Sequence, residues 1–82
     1  MYSIYVKTKG LSPNMIDQAL EILKGLREPT GYGTDIVFCW SSNRNDVEAI
    51  QELLGEIKIQ SIVRNGYYNF SDIKLSDFRK SK

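Results

Sequence analysis

The feature that most constrains the fold of this chain is an uninterrupted apolar run, Ile36-Val37-Phe38-Cys39-Trp40, in the middle of 82 residues. Such a run is typical of a strand that is covered on both faces. A chain this short forms only one hydrophobic core. We therefore expect a single domain over residues 1–82, with residues 36–40 as its central strand.

Two amphipathic helices are predicted, one on each side of that strand in the chain. Ser12 and Pro13 indicate the start of the first helix, because a serine hydroxyl can accept a free backbone N–H and proline is tolerated at the first helical position. Apolar residues at helical spacing continue it to near residue 27, before a glycine-containing loop. Asn45, with Glu48 three residues later, resembles a capping box and predicts a second helix that ends near Gly55.

The other segments predict strands and a hairpin. Residues 2–8 alternate apolar and polar side chains, and residues 57–64 have a strand-like composition. Asn65-Gly66 is a strong hairpin signal, because a type I′ turn needs positive φ at both central residues, and residues 67–70 are expected to return antiparallel. From Ser71 onward we favour a short helix over an extended edge. The predicted fold class is therefore α/β, with the order β-α-β-α-β-β and a C-terminal helix.

The composition leaves little for catalysis or metal binding. The chain has 11 Lys and Arg, 10 Asp and Glu and no His, which gives a net charge of +1. Because histidine is absent and the carboxylates are scattered, we expect no enzyme activity, no metal and no cofactor. The single cysteine, Cys39, is expected to be a small core residue. No apolar run reaches the roughly 18 to 20 residues of a spanning helix and the start is unlike a secretory signal, so a cytoplasmic location is expected.

Two stretches resemble glutaredoxins and the related small redoxins. Residues 8–15, Thr-Lys-Gly-Leu-Ser-Pro-Asn-Met, occupy the frame of the family's Thr-Lys-x-x-Cys-Pro-x-Cys loop, which opens a long helix. Residues 59–66, Ile-Gln-Ser-Ile-Val-Arg-Asn-Gly, resemble its Val-Pro-x-Ile-Phe-Ile-Asn-Gly hairpin, and residues 70–73 resemble the Phe-Asp-Asp-Leu of its last helix. The resemblance implies a thioredoxin-like or glutaredoxin-like domain with a mixed sheet.

The chain departs from this family at the positions that carry the chemistry. Ser12 and Met15 stand where the family has its two cysteines, so no thiolate is available there for disulfide exchange. Gln60 replaces the family's cis-proline, and the Gly-Gly pair that admits glutathione is also missing. The resemblance therefore implies a scaffold without redox activity, and whether any glutathione binding survives stays open.

A scaffold of this kind predicts a protein-binding module, such as a small phage or mobile-element regulator or inhibitor of a larger host protein. The candidate contact regions are the loop that opens the first helix and the predicted hairpin, where Tyr and Arg are residue types enriched at binding hot spots. The candidate residues are Lys9, Ser12, Pro13, Asn14, Met15, Gln60, Arg64 and Tyr67. Self-association through the hairpin edge is equally permitted. Ser12 and Pro13 also fit a helix cap with no further role.

Single-stranded nucleic-acid binding is the alternative, because bases stack on aromatic rings and phosphates bind basic side chains. A net charge of +1 supplies little attraction for DNA or RNA. An enzyme that uses Ser12 as its nucleophile is disfavoured, because the chain offers no histidine as its base. The residues of the nucleic-acid alternative are Tyr67, Tyr68, Phe70, Lys58, Arg64 and Lys74.

Overall fold

Four strands and two α-helices follow the order β-α-β-β-α-β in the residues that the computed structural model describes, which are 1–27, 31–33, 35–66 and 73–80. The elements are β1 (Tyr2–Lys7), α1 (Pro13–Leu23), β2 (Gly31–Tyr32), β3 (Ile36–Ser41), α2 (Arg44–Glu56), β4 (Ser61–Asn65) and a C-terminal 3₁₀ helix (Leu75–Lys80). The class is α/β, as predicted. None of the described helices is long and apolar enough to pass through a membrane.

The strands form an antiparallel sheet in the order β2-β3-β1-β4. The pairings of β2 with β3, β3 with β1 and β1 with β4 all run antiparallel. This arrangement of a β-α-β-β-α-β chain is known as split βαβ or ferredoxin-like. β3 is an internal strand, as its apolar run predicts. The mixed sheet implied by the redoxin resemblance is wrong for these strands, since none of the described pairings is parallel.

A short strand that the sequence does not predict accounts for this difference. β2 lies between α1 and β3 in the chain and pairs with β3, and the Gly33 N–H donates to the Ile36 carbonyl at 2.8 Å. The chain therefore reverses once more before β3, so β3 runs opposite to β1. The glycines on either side of Tyr32 indicate a loop in the sequence, and two residues are too few to show the alternation of a strand.

Side-chain caps decide where the helices begin. α1 begins directly after Ser12, as predicted, and the Ser12 hydroxyl accepts the Met15 N–H at 3.3 Å. The predicted cap of α2 at Asn45 is wrong. The Asn43 side chain instead accepts the N–H groups of Asn45 at 2.9 Å and Asp46 at 3.4 Å. Because Asn43 has an extended backbone and supplies this acceptor, α2 begins two residues earlier than predicted.

The helix ends and the predicted hairpin turn also differ from the sequence expectation. α1 ends at Leu23 rather than near residue 27, and α2 continues one residue past Gly55. Asn65 belongs to β4, and of the turn pair only Gly66 has a positive φ, 101°, so a type I′ turn is not formed. The Gly66 N–H donates to the Met1 carbonyl at 2.9 Å and continues the pairing of β4 with β1. The predicted return strand, residues 67–70, lies outside the described residues.

Alternating side chains build a core on each face of the sheet. Tyr5 and Phe38 share one face, with ring centroids 5.2 Å apart, and Phe78 of the 3₁₀ helix is buried on that face. The helical conformation favoured for the C-terminal segment is confirmed for residues 75–80, while its predicted cap, Ser71, lies outside the described residues. The other face packs against α1 and α2 through Ile4, Val6, Ala19, Leu23, Val37, Cys39, Val47, Ile50, Leu54 and Ile59.

Candidate functional site

The predicted contact residues fall into two groups near opposite ends of β1. The loop over residues 9–15, which is counted here together with the first turn of α1, follows β1. Gln60 lies beside that end of β1, because its carbonyl accepts the N–H of the last residue of β1 at 3.0 Å. Arg64 pairs with the second residue of β1. Four strand residues span about 13 Å, so the structure does not bring Arg64 together with the loop. Tyr67 lies outside the described residues.

The loop before α1 uses its polar groups within the protein. The Ser12 hydroxyl accepts the Met15 N–H, and the Met15 side chain packs partly buried against the core. The N–H groups of Thr8 and Lys9 both donate to the Asp35 carbonyl, at 2.8 and 3.2 Å. The exposed residues of the loop are Lys9, Gly10, Ser12, Pro13 and Asn14. This geometry favours the simpler interpretation of Ser12, that of a helix cap.

The single thiol of the chain belongs to the core. Cys39 is fully buried in β3, and its Sγ–H donates to the Arg27 carbonyl at 3.6 Å. Burial raises the pKa of the Cys39 thiol, because it disfavours the thiolate. A thiolate is the reactive form of cysteine, so this environment suppresses its chemistry. The predicted core position of Cys39 is confirmed.

Two other kinds of site are not assembled by the described part of the chain. No group of three or more His, Cys, Asp or Glu there could hold a metal ion. Of the residues in the nucleic-acid alternative, Lys58 and Arg64 lie near opposite ends of β4, and Lys74 precedes the 3₁₀ helix. The three aromatic residues of that alternative lie outside the described residues, so nucleic-acid binding stays a prediction.

β4 is an edge strand of the described sheet, since β1 is its neighbour on one side and no described strand lies on the other. Two hydrogen bonds show which residues face β1: the Gln60 carbonyl accepts from β1, and the Gly66 N–H donates to the residue before β1. Inward and outward backbone groups alternate along an antiparallel strand. The N–H and carbonyl groups of Ser61, Val63 and Asn65 therefore point away from the sheet.

Side chains cover two of these outward carbonyls. Gln51 of α2 donates from Nε2 to the Ser61 carbonyl at 3.2 Å. Arg64 donates from Nη1 to the Val63 carbonyl at 3.4 Å. Within the described residues, the outward N–H groups of Ser61, Val63 and Asn65 have no hydrogen-bond partner. The edge is therefore partly protected against strand pairing but not closed.

A groove, here named the α2–β4 groove, follows this edge between β4 and α2. At one end a cavity of about 210 Å³ is lined by Tyr2, Arg44, Glu48, Val63 and Asn65. At the other end a cavity of about 400 Å³ is lined by Gln51, Gly55, Lys58, Ile59, Gln60 and Ser61. An open depression on α2 adjoins both cavities, because Glu48 also lines the first and Gln51 also lines the second.

Three exposed charged side chains of α2 are spaced four residues apart. Arg44 and Glu48 line the smaller cavity, and Glu52 lines the open depression beside it. Arg44 Nε lies 2.9 Å from Glu48 Oε2, in an exposed ion pair between residues one helical turn apart. Glu52, one further turn along, is exposed and has no ion-pair partner among the described residues. From the first residue of α2, the charges are therefore positive, negative and negative.

Sequence reasoning missed the helix side of this groove and the structural role of Gln60. The Gln60 Nε2 donates to the Phe78 carbonyl at 3.2 Å, and its Oε1 accepts from Lys7 Nζ at 3.4 Å, so it connects β1, β4 and the 3₁₀ helix. The groove residues of α2 lie at positions 44, 48, 51 and 55. This is helical spacing, and a polar stripe at that spacing was the available signal.

Comparison with protein-family models, with curated proteins and with solved structures finds no match to this chain. A function must therefore be argued from the site itself.

Proposed function

We propose that this protein is a redox-inactive module that binds another protein by accepting an extended segment of it alongside β4. The observation that carries the proposal is the edge of β4, where outward N–H groups border a groove against α2. An extended peptide that joins such an edge gains main-chain hydrogen bonds, and pockets for its alternate side chains select its sequence.

The dimensions of the groove suit a short added strand. β4 has 5 residues, which span about 16 Å. The N–H groups of Ser61, Val63 and Asn65 can each donate to the added strand, at about 0.5–1.5 kcal/mol for each hydrogen bond. Asn65 lines one cavity and Ser61 the other, so side chains i and i+4 of the added strand are expected to enter the two cavities on the face covered by α2.

Binding requires Gln51 and Arg64 to release the outward carbonyls that they cover. The incoming strand supplies an N–H donor for each carbonyl, so one hydrogen bond replaces another at little net cost. Arg64, a predicted contact residue, therefore lies at the proposed interface. The loop over residues 9–15 does not line either cavity of the groove.

The redox-inactive part of the proposal is supported by the residues at the redoxin positions. Ser12 caps α1, Met15 packs against the core, and Cys39 is buried. We expect no thiol-disulfide reductase activity, and an activity that disappears in Cys39→Ser would contradict this part. A relationship to the glutaredoxins and a role as a phage or mobile-element regulator or inhibitor are hypotheses that depend on the resemblance alone.

A peptide selection tests the binding part. Displayed random peptides of about nine residues are selected on the wild-type protein, and the affinities of enriched peptides are measured by titration. We expect Asn65→Pro to weaken binding about tenfold or more, because proline is accepted on an edge strand but has no N–H to donate. Asn65→Ala, which keeps the N–H, is the matched control and should bind within about threefold of the wild type.

The amide chemical shifts of the protein locate the bound peptide. Shifts confined to β4 and α2 are the expected result. Peptides that bind both Asn65 variants equally, or that shift the amides of the loop over residues 9–15 instead, would show that strand addition to β4 is wrong. Failure of any peptide to enrich over a display background would count against the proposal as well.

A further inference from the structure

We infer that, when no partner is bound, a second copy of this chain occupies the same edge, with the two β4 strands antiparallel about a twofold axis at Val63. The inference rests on the proposed function, because it uses the same outward groups of β4. A twofold interface brings one surface patch against itself and must therefore be self-complementary. The backbone of β4 and the charges of α2 both meet this condition.

The backbone of β4 is self-complementary about its middle residue. An axis at Val63 places Val63 opposite its own counterpart and Ser61 opposite Asn65 of the second copy. These three residues are the ones whose N–H and carbonyl groups point outward. In an antiparallel pair, such opposing residues exchange two hydrogen bonds. An axis at any other residue of β4 would leave part of the edge unpaired.

The position of α2 beside β4 decides which of its charges face the second copy. Arg44 and Glu48 share a cavity with Val63, the middle residue of β4, and Asn65, its last residue. Gln51 reaches the Ser61 carbonyl, at the other end. α2 therefore runs antiparallel to β4, with Glu48 beside the proposed axis.

An axis beside Glu48 makes the charges of α2 complementary. Helix positions four residues before and after Glu48 exchange places, so Arg44 faces Glu52 of the second copy, and Glu52 faces Arg44 of the second copy. Paired strands lie about 4.8 Å apart, and α2 packs over both β1 and β4. The two α2 helices are then roughly 10–14 Å apart, a separation that long side chains bridge. Glu48 faces its own counterpart, which weakens the dimer.

Charge reversal tests this arrangement by sedimentation velocity over a concentration series. We expect a monomer–dimer equilibrium for the wild type, weakened about tenfold in Arg44→Glu and in Glu52→Arg. The double variant restores both pairs and should dimerise within about threefold of the wild type. Glu48→Gln removes the like-charge contact and should strengthen the dimer about threefold. Glutamate is favourable at the first residue of a helix, so Arg44→Glu should remain folded.

The matched control is Glu21→Arg on α1, an exposed position that lines neither cavity of the groove. It should leave dimerisation unchanged. A wild type that stays monomeric up to about 1 mM, while selected peptides still depend on the Asn65 N–H, would contradict the dimer and leave the proposed function standing. A double variant that does not restore dimerisation would show that the Arg44–Glu52 pairing is wrong. Loss of both self-association and peptide binding would overturn both proposals.

Discussion

The loop before α1 and the edge of β4 are both exposed, but they differ in how many of their polar groups are hydrogen-bonded within the protein. In the loop, the Ser12 hydroxyl caps α1, and two backbone N–H groups share the Asp35 carbonyl. On β4, the outward N–H groups of Ser61, Val63 and Asn65 meet no acceptor within the described residues. The comparison teaches that exposure alone is a poor guide to a binding surface, because buried and exposed polar groups alike can already be satisfied inside the protein.

Asn43→Ala has the largest expected effect on this comparison, because it removes the cap of the helix that forms one wall of the groove. The Asn43 side chain accepts two N–H groups of the first turn of α2. Loss of such a cap costs about 0.5–2 kcal/mol of the free energy of unfolding. The same turn holds Arg44 at the smaller cavity, so peptide affinity should fall too. Urea denaturation and peptide titration measure both effects, and lower stability with unchanged affinity would exclude this turn from the site.

Ser12→Ala should have a smaller effect, confined to stability. The Ser12 hydroxyl accepts one N–H at 3.3 Å, and its loss is expected to cost about 1 kcal/mol or less of the free energy of unfolding. Peptide affinity should not change, because the loop does not line the α2–β4 groove. Asn14→Ala, in the same first turn, is the control and should not lower stability. A clear loss of peptide affinity in Ser12→Ala would contradict this prediction and show that the loop contributes to the peptide-binding surface.

The smallest expected effect is on the pH dependence of stability and comes from Cys39. Redoxins carry their thiols in the loop before the first helix, whereas this chain carries its single thiol in the core. Burial raises the pKa of Cys39 in the folded protein. The folded protein therefore favours the protonated thiol more strongly than the unfolded chain does. This contribution to the free energy of unfolding is complete below the pKa of the unfolded thiol, about 8.5, and is lost as pH rises through the pKa of the thiol in the folded protein. Between about pH 8 and 10, the free energy of unfolding should fall more steeply in the wild type than in Cys39→Ser. Equal slopes in urea denaturation would contradict this.

Elements with local signals were predicted from the sequence, and elements that depend on a distant partner were not. The apolar run over residues 36–40 is an internal strand, and the Ser12 cap begins α1, because both signals lie within a few consecutive residues. β2 was missed because two residues become a strand only when β3 lies beside them. The type I′ turn predicted at Asn65-Gly66 was wrong because Asn65 continues β4, pairs with Tyr2 and has no positive φ.

The same division holds for the candidate site. The order of amino acids was sufficient to indicate the α/β class, the start of α1 and the buried position of Cys39, since these follow from side-chain spacing and composition. It could not indicate that β1 and β3 run antiparallel, that β4 lies at an edge, or that its outward groups border a groove on α2. Backbone N–H and carbonyl groups are the same in every residue except proline. Which of them remain open is therefore decided only when distant segments of the chain pack together.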